Sequence, residues 1–261
     1  MENKLNYINV PKEIPENVTH NTFYSKLVEQ EIGYNIYLPP NYEKNTKRYS
    51  VLYHLHGWKG NESSDIWALE KLYKNNETIT VFANGTDNGF LNYELPMESI
   101  VINELIPHID EKYKTDTTRE SRSISGFSMG GGGAFYYAIK YLQLFGSVIA
   151  YAGTYHHFLH KDYCGIGKPP EKIIEIYEKI MVEKKYFENE NIYFDKKNIL
   201  LMIKENAQNI RNNIKIKIHI GNNDILYCEN EILHLYLNSL NINHEYKVFD
   251  GIEHELDKII F

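Results

Sequence analysis

The run Gly126-Phe127-Ser128-Met129-Gly130-Gly131 constrains this chain more than any other stretch. It fits G-x-S-x-G, a pattern that serves catalysis where a strand turns sharply into a helix and lifts a serine hydroxyl into the open. The residues before it, Ser121 to Gly126, read as a short strand, and those from Gly132 through Tyr141 as a helix rich in Ala, Phe and Tyr. Small residues are needed there because the serine sits in a strained conformation and neighbouring backbone passes close by. An isolated G-x-S-x-G is also met in ordinary turns. The strand, the helix and the further glycines Gly131 to Gly133 favour the catalytic reading.

The rest of the chain supplies a matching frame. Thr22 to Leu38 reads as a strand pair closed by Pro39-Pro40-Asn41. Tyr49 to His56 and Thr78 to Ala83 are nearly continuous apolar runs, as buried parallel strands require. Met97 to Tyr113 carries Ile100, Val101, Leu105 and Ile109 at helical spacing, with Pro107 expected to kink it. Further strands are expected at Ser147 to Tyr151, at Ile214 to Ile220, whose lysines suggest an edge-like or partly exposed face, and at His244 to Phe249. Asn230 to Leu240 reads as an amphipathic helix. Strands alternating with helices predict an α/β fold, a mostly parallel sheet with helices on both faces, in one domain over 1–261. Residues 154–213 break the alternation. They are expected to form a cap or cleft wall over the carboxyl ends of the strands, where ligands bind in open α/β sheets.

A serine hydroxyl needs a base, and the base, a histidine, needs a carboxylate to hold its tautomer. In a fold of this kind the order along the chain is serine, acid, histidine, with acid and histidine in loops that follow strands. Asp224 follows the Ile214–Ile220 strand in Gly221-Asn222-Asn223-Asp224. His254 follows the last strand, in Asp250-Gly251-Ile252-Glu253-His254. An aspartate at position 224 also suits capping of the next helix. Asp250 and Glu253 are spare carboxylates, too near His254 on the same loop to orient it well. His156, His157 and His160 cluster but lack a matched carboxylate, so a solvated or substrate-lining loop is favoured over a metal site. A tetrahedral intermediate needs two donors for its oxyanion. The backbone N–H of Met129 is one candidate. The other is the N–H of Trp58, in the loop His56-Gly57-Trp58-Lys59-Gly60, where Gly57 lets the chain turn. No metal or cofactor is expected, since three side chains and two amides suffice for acyl transfer.

Composition bounds the partners. The net charge is −7 and no basic run offers counterion release, which argues against a nucleic-acid partner. No segment is long and apolar enough to span a bilayer, and Met1 to His20 lacks the apolar core of a signal peptide. The chain is expected to be soluble, and secreted if a leader has been removed, otherwise cytoplasmic. Cys164 and Cys228 fit no zinc spacing; two buried thiols, or one disulfide, are the readings left open. There are 22 Tyr, 11 Phe and 2 Trp, so some rings are available to face an aryl or carbohydrate ligand.

With these motifs in place, the sequence resembles the esterase D-like group of α/β-hydrolases, and within it the feruloyl and acetylxylan esterases of carbohydrate esterase family one. The resemblance runs in blocks from Thr22 to His254. Tyr34 to Tyr42 is similar to the family's opening strand and turn, Tyr49 to Gly57 to its oxyanion strand, and Trp67 falls where these esterases often carry tryptophan. Glu98 to Tyr113 resembles the helix before the nucleophile, Ser125 to Gly131 the elbow, and Gly221 to Asp224 and Gly251 to His254 the acid and histidine loops. It implies Ser128 as nucleophile, Asp224 as acid and His254 as base, with Trp58 and Met129 as oxyanion amides. The chain departs from the family at Glu253, where glycine is common, at Leu256, where an aromatic is common, and in the longer 154–213 segment. The resemblance implies a serine carboxylesterase acting on feruloylated xylan, with Trp58, Phe127 and Tyr155 as candidates to pack against the aryl acyl group or a sugar. An acetylxylan or general short-chain esterase would use the same machinery. A silent hydrolase-fold protein that binds carbohydrate is a third reading, and the intact serine, acid and histidine argue against it.

Overall fold

The structure, a computed structural model, describes residues 6–74, 76–86, 90–92, 95–155 and 199–261. Its strands are β1 (Val18–Ser25), β2 (Gln30–Tyr37), β3 (Val51–Leu55), β4 (Ile79–Ala83), β5 (Arg122–Phe127), β6 (Ser147–Tyr151), β7 (Lys215–Gly221) and β8 (Glu245–Phe249). They form one sheet in the order β1-β2-β4-β3-β5-β6-β7-β8. β1 and β2 pair antiparallel, as do β2 and β4; every pairing from β4 onward to β8 is parallel. β3 and β4 are buried at every position, as strands covered on both faces must be.

After β3 the chain steps to β4 on one side, then crosses to β5 on the other. That reversal opens a crevice at the carboxyl ends of β3 and β5, the place where open α/β sheets bind ligands. The loop after β3 and the Ser128 turn after β5 flank it.

Side-chain alternation along the strands feeds two apolar layers. Val51, Tyr53 and Leu55 of β3 and Val148 and Ala150 of β6 join the larger layer. Against it pack α2 (Met97–Ile100), α3 (Ile106–Lys112), α4 (Met129–Lys140), α5 (Ile199–Asn213) and α6 (Tyr227–Ser239). Phe82, Tyr151 and Ile220 face the other layer, closed by α1 (Glu70–Tyr73) and the C-terminal residues Leu256, Ile259 and Ile260.

Two expectations change in form. Pro107, expected as a kink, lies in the first turn of α3, and a π-helical segment, Val101–Leu105, joins α2 to it. Proline lacks the N–H that an α-helix would use, and a locally widened turn takes up the misfit. The lysine-bearing strand has the partly exposed face expected of it, with Lys215 and Lys217 exposed, but it is not an edge: β7 lies between β6 and β8. Its exposed Lys217 sits opposite Glu245 and pairs with it at 2.8 Å.

A third expectation is corrected. The cap or cleft wall expected over 154–213 does not extend to 199–213, because α5 buries Ile199, Leu200, Ile203 and Ile210 in the main core. Residues 156–198, the remainder of that segment but for Thr154 and Tyr155, lie outside the described residues, as do His156, His157, His160 and Cys164. Among the described residues no helix is long and apolar enough to cross a membrane.

Candidate active site

β5 ends at Phe127 and α4 begins at Met129, so one residue makes the whole turn. That residue, Ser128, has φ 55° and ψ −118°. A non-glycine residue held there stores about 1–3 kcal/mol of strain and persists only where its surroundings over-determine it. Here they do. The Ser128 N–H donates to the Tyr151 carbonyl at 2.9 Å, and its own carbonyl accepts from Gly132 and Thr154, both at 3.1 Å. The turn also needs bare backbone: a methyl group on Gly126 would run into the Gly130 carbonyl, and one on Gly130 into the Leu55 carbonyl. Ser128 itself is half-buried.

Asp224 and His254 meet. His254 Nδ1 lies 2.8 Å from Asp224 Oδ2, with the carboxylate side chain wholly buried and the imidazole 28% exposed. A carboxylate only accepts, so in the neutral ring the proton sits on Nδ1 and Nε2 keeps a lone pair. The other carboxylate oxygen, Oδ1, accepts the Leu226 N–H at 2.8 Å. The helix-capping reading of Asp224 does not hold: α6 begins at Tyr227 with no side-chain cap bond, and Oδ1 closes a local turn at the Leu226 N–H before it. The His254 ring stacks on Phe127, centroids 4.5 Å apart at 29°, which sets it beside the residue preceding Ser128.

The two loops are joined independently of that bond. Asn222 and Asn223 donate backbone N–H groups to Phe249 and Ile252 carbonyls, each at 3.0 Å. The Asn222 side chain donates to Asp250 and accepts from the Gly251 N–H, both at 2.7 Å. Gly251 sits at φ +71°, the left-handed region that glycine tolerates. Asn222 is a site residue that sequence reading missed. The signal was present, since an asparagine directly after a strand and two residues before the acid is well placed to bridge loops.

The loop after β3 lies against the serine. A methyl group on Gly57 would stand 3.3 Å from Phe127 Cδ1 and 3.5 Å from Ser128 Cβ. Trp58 follows, 36% exposed, with Lys59 Nζ 4.4 Å from its ring centroid. Met129 opens α4, and the first N–H groups of a helix have no intrahelical acceptor. The helix dipole adds partial positive charge at that end. Trp58 and Met129 thus come from two segments that converge on Ser128.

Tyr155 does not line this surface. It is 1% exposed, its ring meets Phe135 edge-on, and its N–H donates to the buried carboxylate of Glu229. The expectation that it packs against substrate is corrected: α6 draws the backbone after β6 into the core, and Asn230 holds the Gly153 carbonyl at 2.9 Å. Cys228, in the first turn of α6, is a free cysteine. Burial, then the nearby Glu229 and Glu231, pushes its thiol up, away from the reactive thiolate.

A set of serine, histidine and aspartate, buried at its serine and histidine, lies beneath. His54 Nδ1 is 2.9 Å from Ser125 Oγ, and its Nε2 is 3.0 Å from Asp65 Oδ2. His54 and Ser125 are opposite each other on β3 and β5. Ser125 has no exposed surface and His54 only 1%, so no substrate reaches them. This set ties the central strands to the 61–69 loop. Among the described residues no group of three or more His, Cys, Asp or Glu side chains is placed to hold a metal ion.

Comparison with known proteins agrees with this architecture. Residues 25–256 match the Esterase family, described as "Putative esterase", and the chain belongs to that family. It is similar to an esterase of Mycobacterium tuberculosis, 30% identical over 143 residues that make up 50% of this chain and 31% of that protein. It is also similar to an endo-1,4-beta-xylanase/feruloyl esterase of Xylanibacter ruminicola, 33% identical over 136 residues, 44% of this chain and 18% of that one. The chain spans about a third or less of the length of these curated relatives. Among solved structures, a ferulic acid esterase superposes with TM-score 0.69 at 22% identity, and an S-formylglutathione hydrolase of Staphylococcus aureus with TM-score 0.70 at 15%. Each covers 92% of both chains. The fold is that of the α/β-hydrolases.

Proposed function

We propose that this member of the Esterase family is a serine carboxylesterase that cleaves feruloyl or related hydroxycinnamoyl esters of plant cell-wall xylan through an acyl-enzyme. The observation that carries the proposal is the buried Asp224 carboxylate bonded to His254 Nδ1 at 2.8 Å, on a ring stacked beside the strained Ser128 turn. In this reading His254 Nε2 takes the Ser128 proton as Oγ attacks the ester carbonyl. The N–H groups of Trp58 and Met129 receive the developing oxyanion, each worth about 3–4 kcal/mol in sites of this type. Collapse expels the alcohol, which leaves with the proton from His254. Water, deprotonated by the same ring, then hydrolyses the acyl group from Ser128. No cofactor takes part in this scheme.

The feruloyl assignment is supported by likeness to a ferulic acid esterase and to a relative whose name includes feruloyl esterase. Trp58 and Phe127 remain as aromatic candidates for the acyl group. A short-chain or acetylxylan esterase is the second reading, favoured by the equally close superposition on an S-formylglutathione hydrolase. Purified protein assayed on methyl ferulate and on p-nitrophenyl acetate separates them. A higher kcat/KM for the ferulate supports the first reading, whereas turnover of acetate alone removes the aryl claim and leaves the second.

A further inference from the structure

The histidine at the start of the oxyanion loop is buried, and the chemistry of the ester cleavage does not use it. His56 is 2% exposed, and its ring meets Phe90 edge-on at 5.0 Å. Both of its nitrogens have backbone partners whose roles are unambiguous. The Gly85 N–H, just beyond β4, points at Nε2 from 2.9 Å. An amide N–H only donates, so Nε2 must present its lone pair. The ring proton therefore resides on Nδ1, which stands 2.8 Å from the Gly57 carbonyl oxygen, a group that only accepts. The Gly60 N–H donates to the same oxygen at 3.0 Å.

That carbonyl belongs to the peptide linking Gly57 to Trp58. The unit is planar and, like every described peptide in the chain, trans, so its C=O and N–H point in opposite directions. Holding the Gly57 oxygen toward His56 turns the Trp58 N–H away from His56, on a loop that lies against Ser128. We propose that His56, locked as the Nδ1–H tautomer by the Gly85 amide, is a positioning residue that sets the orientation of the Trp58 oxyanion amide. The inference rests on the esterase reading above and on Trp58 as an oxyanion donor. Gly60 is part of the device: a methyl group there would lie 2.8 Å from the Gly57 oxygen and 2.9 Å from His56 Nδ1.

The substitutions that dissect this are His56→Gln and His56→Asn. A glutamine amide reaches the Nε2 position and keeps a partner for Gly85, but nothing then donates from the Nδ1 position. An asparagine amide reaches the Nδ1 position and keeps the donor to Gly57. On p-nitrophenyl acetate, His56→Gln is expected to lose kcat by about 10- to 100-fold with KM changed less than about twofold, approaching the loss for removing one oxyanion donor. His56→Asn is expected to recover most of that loss. A Gln variant with wild-type kcat, or an Asn variant no better than Gln, overturns the proposal. Long-range 15N–1H correlation spectra of the wild-type imidazoles provide a test that needs no variant. A His56 proton on Nδ1 is expected, and a proton on Nε2, or on both nitrogens, refutes the clamp. Failure of the underlying reading looks different: the wild-type protein would then leave p-nitrophenyl acetate intact, while the His56 spectrum would still decide its tautomer.

Discussion

Substituting alanine at Gly130 should damage stability and turnover together, whereas the same change at Gly133, one turn along α4, should do little. At Gly130 the added methyl group meets the carbonyl groups of Leu55 and His56 rather than movable side chains. The His56 oxygen, third nearest, would be 2.6 Å away. Restoring ordinary contact at 3.4 Å to that atom alone requires about 0.8 Å, and the Leu55 carbonyl requires more. Because neither backbone can rotate aside, the start of α4 must lift from the end of β3. Overpacking of this kind costs about 1–3 kcal/mol, which in a chain of this size lowers the melting temperature by roughly 2–12 °C. The same movement separates the Met129 and Trp58 amides, and misplacement approaching 1 Å costs about 100-fold in rate. At Gly133 the nearest atom is Phe90 Cβ at 3.1 Å, followed by Leu55 Cδ1 at 3.5 Å, so a shift of a few tenths of an ångström suffices. Replacing glycine by alanine inside a helix gains up to about 1 kcal/mol, which offsets that strain. Calorimetry and kcat on p-nitrophenyl acetate for the two variants make the comparison. A Gly130→Ala protein that melts and turns over like wild type, or a Gly133→Ala protein equally impaired, refutes the close-approach argument.

Asp224→Asn should leave the loops in place, since Asn222 and the backbone bonds join them independently, yet lower kcat by about 10³–10⁴ by allowing the wrong His254 tautomer; a loss below tenfold would argue that Asp224 is not the orienting acid. His244 gives a pH signature. Its Nδ1 donates to the Ile242 carbonyl at 2.8 Å, so its Nε2 accepts from His234 Nδ1, also at 2.8 Å. Burial, and to a lesser degree the neighbouring His234, holds its pKa below the usual histidine value. The unfolded chain therefore binds a proton near pH 6.5 that the folded one resists. The resulting stability is fully present above that pH and is lost as pH falls toward the lower folded pKa. His108 is lowered too, with the same sign. Melting temperatures at pH 7 and pH 5 should converge in His244→Gln relative to wild type, and an unchanged difference would remove His244 from the explanation.

What the sequence made legible was local. The Ser128 turn, its strand and its helix could be read because glycine and serine there answer to backbone geometry within a few residues. Asp224 and His254 could be placed because each lies in a loop just after a segment of strand length. What stayed hidden depends on partners far along the chain. Lys215 and Lys217 fitted an edge as well as the partly exposed face they occupy, because their neighbour β8, with Glu245 opposite Lys217, is visible only once the strands pair. Tyr155 looked available to substrate because nothing nearby in sequence reveals that Glu229 and Asn230, some 75 residues later, pull its backbone inward. The α5 helix was readable and misassigned: Ile199, Ile203, Ala207 and Ile210 repeat at helical spacing, the mark of a core-facing helix rather than a cap. Asn222 bonds the Asp250 carboxylate and the Gly251 amide, a role its place after a strand hints at, whereas nothing local to His56 reveals the Gly85 amide that meets its ring.

Among the described residues the Ser125–His54–Asp65 set is buried at its serine and histidine, whereas Ser128 is half-buried and His254, bonded to Asp224, is 28% exposed. Reaction with a fluorophosphonate, followed by intact mass and peptide mapping, distinguishes them directly in the wild type, Ser128→Ala and Ser125→Ala proteins. One adduct is expected, on Ser128, absent from Ser128→Ala and retained in Ser125→Ala, with ester turnover following the same pattern. An unlabelled wild-type protein, an adduct on another residue, or turnover that survives loss of the Ser128 hydroxyl would contradict the nucleophile assignment and the esterase mechanism built on it.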